Sequence, residues 1–401
     1  MRIAIFSDNF YPELSGISDS IILTGKELAK RGHFIHYFVP RYSAENFKII
    51  GLPICEPNLP ERIQITRFSA ISYPGPTRQA RAVIPTGLRW LFVKKFRPDI
   101  MHTHHIFGVG LEALIAAKIL RKPLIGTNHT PLSEFWEYSL IKKDWFKTFA
   151  LKYNAWYYNH CQFVSSPAQT IFDREMIPLG FKTTHGVVSN PLDLETFHPL
   201  ADRKNLLKKK FGFSGFTILY AGRLAAEKRI DLIMKSVARI IKKVPSMTFA
   251  VIGKGPMENE LKNLAAALNI QHLVKFMGFV EDVGIFAEIY NASDVFAIMS
   301  PAETQSLVAM QAMACGLPVI GARAWGLEEY LKKAGGLLVE PGDDKSLSEY
   351  ILFLYKNPAT RKKIGETGRK FVNGFSAAAI ADIWEEIYEN TIKSYNKKNE
   401  A

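Results

Sequence analysis

From Arg2 to Val339 the chain alternates short runs of β-branched and aromatic residues with longer runs of helical periodicity, in two successive series. The first series has strand-like runs at Arg2–Phe6, His33–Val39, Ile63–Phe68, Asp99–His102, Pro123–Thr127 and Gln162–Ser165. The second has them at Thr217–Ala221, Met247–Gly253, Val274–Phe279, Asp294–Met299, Pro318–Gly321 and Gly336–Val339. Helical runs such as Ser18–Arg31, Gly108–Leu120, Lys228–Lys243, Met257–Leu268 and Leu307–Cys315 fall between them. A helix between two strands returns the chain to the same sheet edge, so this order implies parallel sheets with helices on both faces. The fold class is therefore α/β, and two series imply two Rossmann-like domains, set at 1–192 and 193–376. The tail, 377–401, reads as a separate amphipathic helix, with Ile380, Ile383, Trp384, Ile387 and Tyr388 at helical spacing over Ala377–Ser394. The basic segment Asp202–Phe211 reads as a solvated helix near the join.

Composition narrows the classes. With 47% apolar residues the chain is globular. Its 401 residues exceed one small core. The three cysteines (Cys55, Cys161, Cys315) are scattered, with no CxxC and no Cys/His cluster, which points to a reducing cytosol and no structural metal. Met1–Phe6 reads as a strand rather than a signal peptide, and no apolar run is long enough to span a bilayer. The formal net charge of +13 fits anionic small molecules or an anionic membrane surface. No nucleic-acid-binding signature accompanies it, so no nucleic acid is expected as a partner. Cytoplasmic location follows, with peripheral contact at the inner face of the cell membrane as one reading.

Ligands in such sheets bind beyond the carboxyl ends of strands, so the residues just after strands carry the chemistry. In Ser300–Val319 a polar loop with one carboxylate, Glu303, runs into a helix that stops at Gly316-Leu317-Pro318. A carboxylate beside a helix N-terminus suits a ligand with both hydroxyls and phosphates. Gly222-Arg223 with Lys228 follows the first strand of the second series, and a guanidinium fork and an ammonium suit phosphate oxygens. Gly16 after Ser15 permits close approach of an anion to the next helix. His102-Thr103-His104-His105 and Thr127-Asn128-His129-Thr130 each end a strand. Alternate strand residues face opposite ways and no carboxylate is adjacent in sequence, so these histidines are not read as a metal site. Trp145, Phe149, Tyr153, Trp156 and Tyr157 recur at helical spacing among Lys142, Lys143, Lys147 and Lys152. That pattern fits either an interfacial helix or an ordinary helix with a buried aromatic face. Arg78, Arg81, Pro85, Arg89 and Trp90 form a second basic stretch.

Ser300–Val319 resembles the signature of the retaining nucleotide-sugar glycosyltransferases of family 4. Gly222-Arg223 with Lys228, Gly253-Lys254-Gly255-Pro256 and Gly278-Phe279-Val280 match the family's motifs in order, and the resemblance runs from about residue 1 to 376. It implies the GT-B fold: two Rossmann-like domains facing a cleft, with the C-terminal helix crossing back to the first domain. It further implies Arg223 and Lys228 on the leaving diphosphate, Glu303 on the donor sugar and His129 beside it. Gly16, Gly255, Phe279, Val280, Thr304, Gln305, Ser306, Leu307 and Gln311 would complete the donor and nucleotide site. Such enzymes need no metal and no cofactor, because Arg and Lys supply the counter-charge. Domain closure would assemble the site.

Two positions depart from the family. Gln311 stands where a second glutamate holds the ribose, and an amide accepts through one atom only. Ser306 stands where many relatives carry glycine, which narrows the sugar pocket. The first domain is similar to bacterial diacylglycerol glucosyltransferases and phosphatidylinositol mannosyltransferases. The expectation is transfer of a hexose, with UDP-glucose the favoured type of donor, to a lipid hydroxyl in glycolipid biosynthesis. Tyr11, His104, Trp145 and Phe149 are the acceptor-side candidates. A soluble sugar or cell-surface glycan acceptor is the alternative within the fold. A sugar-nucleotide epimerase fits Glu303, Arg223 and Lys228 poorly, and a degenerate transferase serving only as a binding protein is motivated by Gln311 alone.

Overall fold

A computed structural model describes residues 1–13, 15–50, 53–72, 79, 81–134, 143–200 and 202–400. Arg78 and Lys142 lie outside the described residues. The chain divides into two compact units, Met1–Pro191 with Ala377–Ala401, and Leu192–Ser376.

In the first unit β1 (Arg2–Phe6), β2 (Phe34–Pro40), β3 (Ile63–Phe68), β4 (Ile100–Thr103), β5 (Leu124–Thr127), β6 (Phe163–Ser166) and β7 (His185–Val187) form one sheet in the order β3-β2-β1-β4-β5-β6-β7. Every pairing in it is parallel. The order reverses direction at β1, so β1 and β4 leave a crevice beyond their carboxyl ends, where crossovers depart to opposite sides. Four of the five residues of β1 and all of β4 and β5 are buried, as a sheet covered on both faces requires. Helices α1 (Gly16–Lys30), α2 (Trp90–Phe96), α3 (Val109–Leu120) and α4 (Asp144–Tyr158) belong to this unit. Gly16 is the first residue of α1, and the Ser15 hydroxyl caps it by accepting from Ile17 N–H at 3.3 Å.

In the second unit β8 (Phe216–Ala221), β9 (Met247–Ile252), β10 (Val274–Gly278), β11 (Val295–Ile298), β12 (Val319–Ala322) and β13 (Leu337–Val339) pair in parallel, in the order β10-β9-β8-β11-β12-β13. Its switch point lies between β8 and β11. Side chains alternate across β8: Phe216, Ile218 and Tyr220 enter one apolar cluster, Leu219 and Ala221 the other. Helices α5 (Lys204–Phe211), α6 (Ile230–Ile240) and α7 (Leu307–Ala314) are the ones that matter below.

Some expectations need correction. The Asp202–Phe211 segment is helical from Lys204 but is not simply solvated. Lys204 and Lys208 hold the buried Asp294 carboxylate at 2.7 and 2.5 Å and keep it below its ordinary range against the opposing effect of burial. The helix expected from Lys228 starts at Ile230, because Arg229 turns left-handed (φ 49°). Lys228 therefore sits on a single 3-10 turn, Ala226–Lys228, ahead of the helix. In the tail helix α8 (Ala377–Glu400), Ile383 is exposed, and the buried stripe is Ile380, Ala381, Trp384, Tyr388 and Thr391. That stripe lies within the first unit, where Arg31 reaches Asp382 and Glu385 at 2.6 and 2.5 Å and His33 reaches Glu385 at 2.6 Å.

Candidate active site

The segments that follow β8 and β11 flank the switch point of the second unit, and they carry the charged residues singled out in the sequence. Gly222 follows β8 with φ 145°, a value open to glycine and strained for other residues. Arg223 comes next, its backbone carbonyl accepting from the buried Tyr220 hydroxyl at 2.9 Å. Arg223 Nη2 meets Glu227 at 2.5 Å. Lys228 Nζ meets Glu303 Oε1 at 2.6 Å, joining the two segments across 75 residues of sequence. Both members of this pair are largely buried, so each needs the other to offset desolvation. Burial, with Glu303 and Glu227 nearby, pushes the Tyr220 phenol well up, and it stays a neutral donor.

The segment from β11 continues through Thr304 and the buried Gln305 to Ser306 and then α7. The helix ends in a Schellman turn. Gly316 takes φ 79°, its N–H bonds Met313 O at 2.8 Å, and Leu317 N–H bonds Ala312 O at 2.9 Å. Gln311 is half-buried on α7, and the Tyr290 hydroxyl, which donates to Val308 O at 2.9 Å, also reaches Gln311 Oε1 at 3.4 Å. Phe279 and Val280 are half-buried just after β10, with Val280 and Leu307 packed against the core. Gly255 has a packing reason: a Cβ there would stand 2.3 Å from Leu224 O, so only glycine lets this loop lie against the Arg223 loop.

The switch point of the first unit gathers histidines. His102 Nε2 bonds Thr127 Oγ1 at 2.7 Å and its Nδ1 bonds the Tyr388 hydroxyl at 2.8 Å. His104 Nδ1 bonds His129 Nε2 at 2.8 Å. His102 and His104, two apart on the strand, face the same way with ring centroids 4.2 Å apart. His105 turns aside to Asp8 N–H (3.1 Å) and Asn9 Oδ1 (2.7 Å). Desolvation depresses these rings, His102 and His129 to about 3 and His105 to about 4, and His104 well below its ordinary value, so all are neutral at pH 7. One proton lies between His104 and His129, so the tautomer of either ring fixes that of the other.

Among the acceptor-side candidates, His104 therefore joins His129, whereas Tyr11 packs edge-on to Phe47 (6.0 Å) with its hydroxyl 3.2 Å from Cys55 Sγ. Trp145 and Phe149 lie on α4 and are 67% and 58% exposed, with Trp156 47% exposed on the same helix. Tyr157 of the same run is fully buried. The exposed side of α4 thus carries aromatics beside the exposed Lys143 and Lys152. A second exposed apolar and basic stretch surrounds α2, where Leu88, Leu91 and Phe92 are exposed among Lys94, Lys95 and Arg97.

Sequence reasoning missed Glu227 and Tyr290, and read Tyr388 only as part of the tail's apolar stripe, not as the partner of His102. Glu227 had a signal, its i,i+4 spacing from Arg223. The contacts of Tyr290 and Tyr388 had none, since each tyrosine arrives from a separate element.

Residues 14–196 match the family model Glycosyltransferase Family 4, and residues 203–371 match Glycosyl transferases group 1. An alpha-monoglucosyldiacylglycerol synthase of Acholeplasma laidlawii is 25% identical over 99% of this chain and 99% of its own length. An N-acetyl-alpha-D-glucosaminyl L-malate synthase of Bacillus anthracis is 24% identical over 96% of each chain. Among solved structures, Anabaena HepE in complex with UDP-glucose superposes with a TM-score of 0.74 at 20% identity, covering 97% of this chain and 100% of that one. Two doubly wound parallel units of this kind are the GT-B architecture. The chain belongs to the GT-B glycosyltransferases of group 1/family 4.

Proposed function

We propose that the protein transfers a hexose from a UDP-sugar, with retention of configuration and without a metal, to a membrane lipid hydroxyl such as that of diacylglycerol. The observation that carries the donor half is the cluster at the β8/β11 switch point, where Lys228 pairs with Glu303 and the Arg223–Glu227 pair acts with Glu303 on the buried Tyr220 phenol. In this reading Lys228 exchanges Glu303 for the donor diphosphate, and Glu303, released, accepts from hydroxyls of the sugar ring. The C1–O bond to the diphosphate lengthens and breaks, and Arg223 and Lys228 neutralise the charge that leaves with it. The acceptor oxygen bonds C1 from the same face, and its proton passes to the departing phosphate oxygen. Loss of one such charge-stabilising group costs about 10²–10³ in rate. Gly16, at the N-terminus of α1, offers a further amide to the diphosphate. His129, neutral and fixed by His104, contributes one ring proton or lone pair to a sugar hydroxyl.

The lipid half rests on the near full-length similarity to the diacylglycerol-directed enzyme and on the exposed aromatic and basic residues of α2 and α4. No helix among the described residues is long and apolar enough to cross a membrane, and peripheral contact with anionic lipid at the inner face of the cell membrane completes this reading. A soluble acceptor is the second reading, favoured by the comparably full-length similarity to the malate-directed enzyme.

The test is nucleotide release from a panel of UDP-, GDP- and ADP-sugars, with and without diacylglycerol-containing anionic vesicles, beside Glu303→Ala. The proposal expects one UDP-sugar to be turned over, stimulation by vesicles, and loss in the variant. Release that vesicles leave unchanged and L-malate or another soluble hydroxyl stimulates would replace the lipid reading with the second.

A further inference from the structure

The loop that carries His129 is held by a distant part of the first unit. β5 ends at Thr127, and Asn128 N–H bonds Ser165 O of β6 at 2.8 Å. His129 and Thr130 follow, and Pro131 O then accepts from Glu134 N–H at 3.1 Å, closing a single 3-10 turn over 132–134. The first N–H groups of such a turn need acceptors, and Pro131, standing ahead of them, has no side-chain oxygen to offer. Glu175 supplies the acceptors. Its Oε1 accepts from Leu132 N–H at 2.9 Å, and its Oε2 accepts from Ser133 N–H at 3.0 Å and from the Ser133 hydroxyl at 2.8 Å. One residue on, Met176 Sδ accepts from Asn128 Nδ2 at 3.3 Å. Two adjacent residues thus hold the chain on both sides of His129, whose ring is bonded in turn to His104.

The segment that supplies them is unusual for a plain cap. Phe172–Met176 forms a π turn, with Ile177 N–H on Phe172 O, a rare geometry that occurs mostly as single turns at functional sites. Glu175 is 3% exposed, and burial raises its carboxyl above the ordinary range although the Ser133 and Leu132 donors pull it down. A buried carboxyl is a more demanding cap than the neutral Ser15 hydroxyl that serves α1. What it adds is stiffness, since two oxygens fixed in one plane meet three donors.

We propose that Glu175 is a positioning residue for the transfer reaction, bracing the loop after β5 so that His129 is held in place for the sugar. The inference rests on the donor reading above, in which His129 meets a sugar hydroxyl. It adds a residue that touches no substrate and acts only through His129. A ring that offers one proton or lone pair is effective only when its backbone is held to within about 0.5 Å.

The test is a double-mutant cycle between Glu175 and His129. Glu175→Gln keeps the shape but turns an NH2 group toward donors that now meet an oxygen. Wild type, Glu175→Gln, His129→Ala and the double variant are compared for thermal midpoint, for UDP affinity by calorimetry, and for kcat/KM of nucleotide release well below the lowest midpoint. The donor is the UDP-sugar that the wild type turns over, UDP-glucose being the first probe. Glu175→Gln is expected to lower kcat/KM between about tenfold and 10²-fold, with UDP affinity unchanged. On the His129→Ala background it should remove nothing further. Ser133→Ala deletes one of the three bonds and leaves the carboxyl in place, so a smaller loss in the same sense is expected. Should Glu175→Gln not fold, the cycle of Ser133→Ala with His129→Ala decides. Equal fold-losses in the two backgrounds would show a merely structural brace and overturn the inference. So would undiminished kcat/KM, or UDP binding weakened as much as turnover. Should the wild type release nucleotide from no donor, or His129→Ala turn over like the wild type, the donor reading of His129 falls and this assignment with it. Should His129→Ala lose turnover while Glu175→Gln keeps it, this assignment alone falls.

Discussion

Lys228 and Glu303 neutralise each other at 2.6 Å, and that pairing sets what a ligand must offer. Separating two largely buried charges leaves each to be compensated. A nucleotide-sugar does both jobs in one molecule, since its diphosphate takes the ammonium and its hydroxyls take the carboxylate. A neutral sugar or a bare phosphate satisfies one partner and strands the other. In the proposed donor site Gln311 is the weaker contact, to the ribose. Its amide accepts through one oxygen, which already faces the Tyr290 hydroxyl, where a carboxylate would accept through two and carry charge. Gln311→Glu is therefore expected to tighten UDP binding by about 1–2 kcal/mol, the gain of a charge-assisted bond to the ribose. Titration calorimetry with UDP reads this directly, and weaker binding by the variant would remove Gln311 from the ribose.

At the scale of elements, what was legible in sequence was whatever local pattern encodes. Strand–helix alternation marked the strands of both sheets except β7, whose three residues are too short to show a pattern, and the glycine and proline after Cys315 marked the end of α7. Arg223, Lys228 and Glu303 were singled out because each follows a strand and matches a family motif. The start of α6 was missed because Arg229 is left-handed, and nothing in its side chain announces that. The pairing of His104 with His129 and the seat of His102 on Tyr388 were illegible, since three separate elements bring those rings together. The stack has a consequence for pH. His102, His105 and His129 have ordinary values near 6.5 when unfolded and about 3–4 when folded, so below 6.5 the unfolded chain binds the extra protons. Their contribution to stability is present above pH 6.5 and is lost as pH falls toward 4, by up to about 1.4 kcal/mol per pH unit for each ring. Asp8 acts oppositely. Burial raises it to about 7, and raises Asp19 to about 6 and Glu175 in the same sense, so these carboxyls add stability as pH falls below 7, against the five depressed histidines His36, His102, His104, His105 and His129. The thermal midpoint should thus drop between pH 7.5 and 5, and a midpoint that rises on acidification would contradict the buried neutral stack.

For the whole molecule, a net charge of +13 and exposed aromatics beside lysines make the same prediction. In the proposed lipid-directed reading, charge draws the chain to anionic lipid and the exposed aromatic side chains insert there. Binding to vesicles rich in phosphatidylglycerol should weaken steeply as salt rises, because screening shortens the reach of that attraction to about 8 Å at 0.15 M. Trp145→Ala with Phe149→Ala should lower vesicle binding several-fold, while UDP binding, read by calorimetry, stays unchanged. Vesicle binding that neither salt nor the double variant alters would remove α4 from the membrane contact. The most direct measurement for the account as a whole is the product itself. The protein is incubated with UDP-glucose and vesicles of diacylglycerol in phosphatidylglycerol, and the lipid extract is examined by NMR at the anomeric proton. The account predicts an α-linked glucosyl lipid, absent with Glu303→Ala. A β-linked product would contradict retention, and release of UDP with free glucose but no glycolipid would contradict a lipid acceptor.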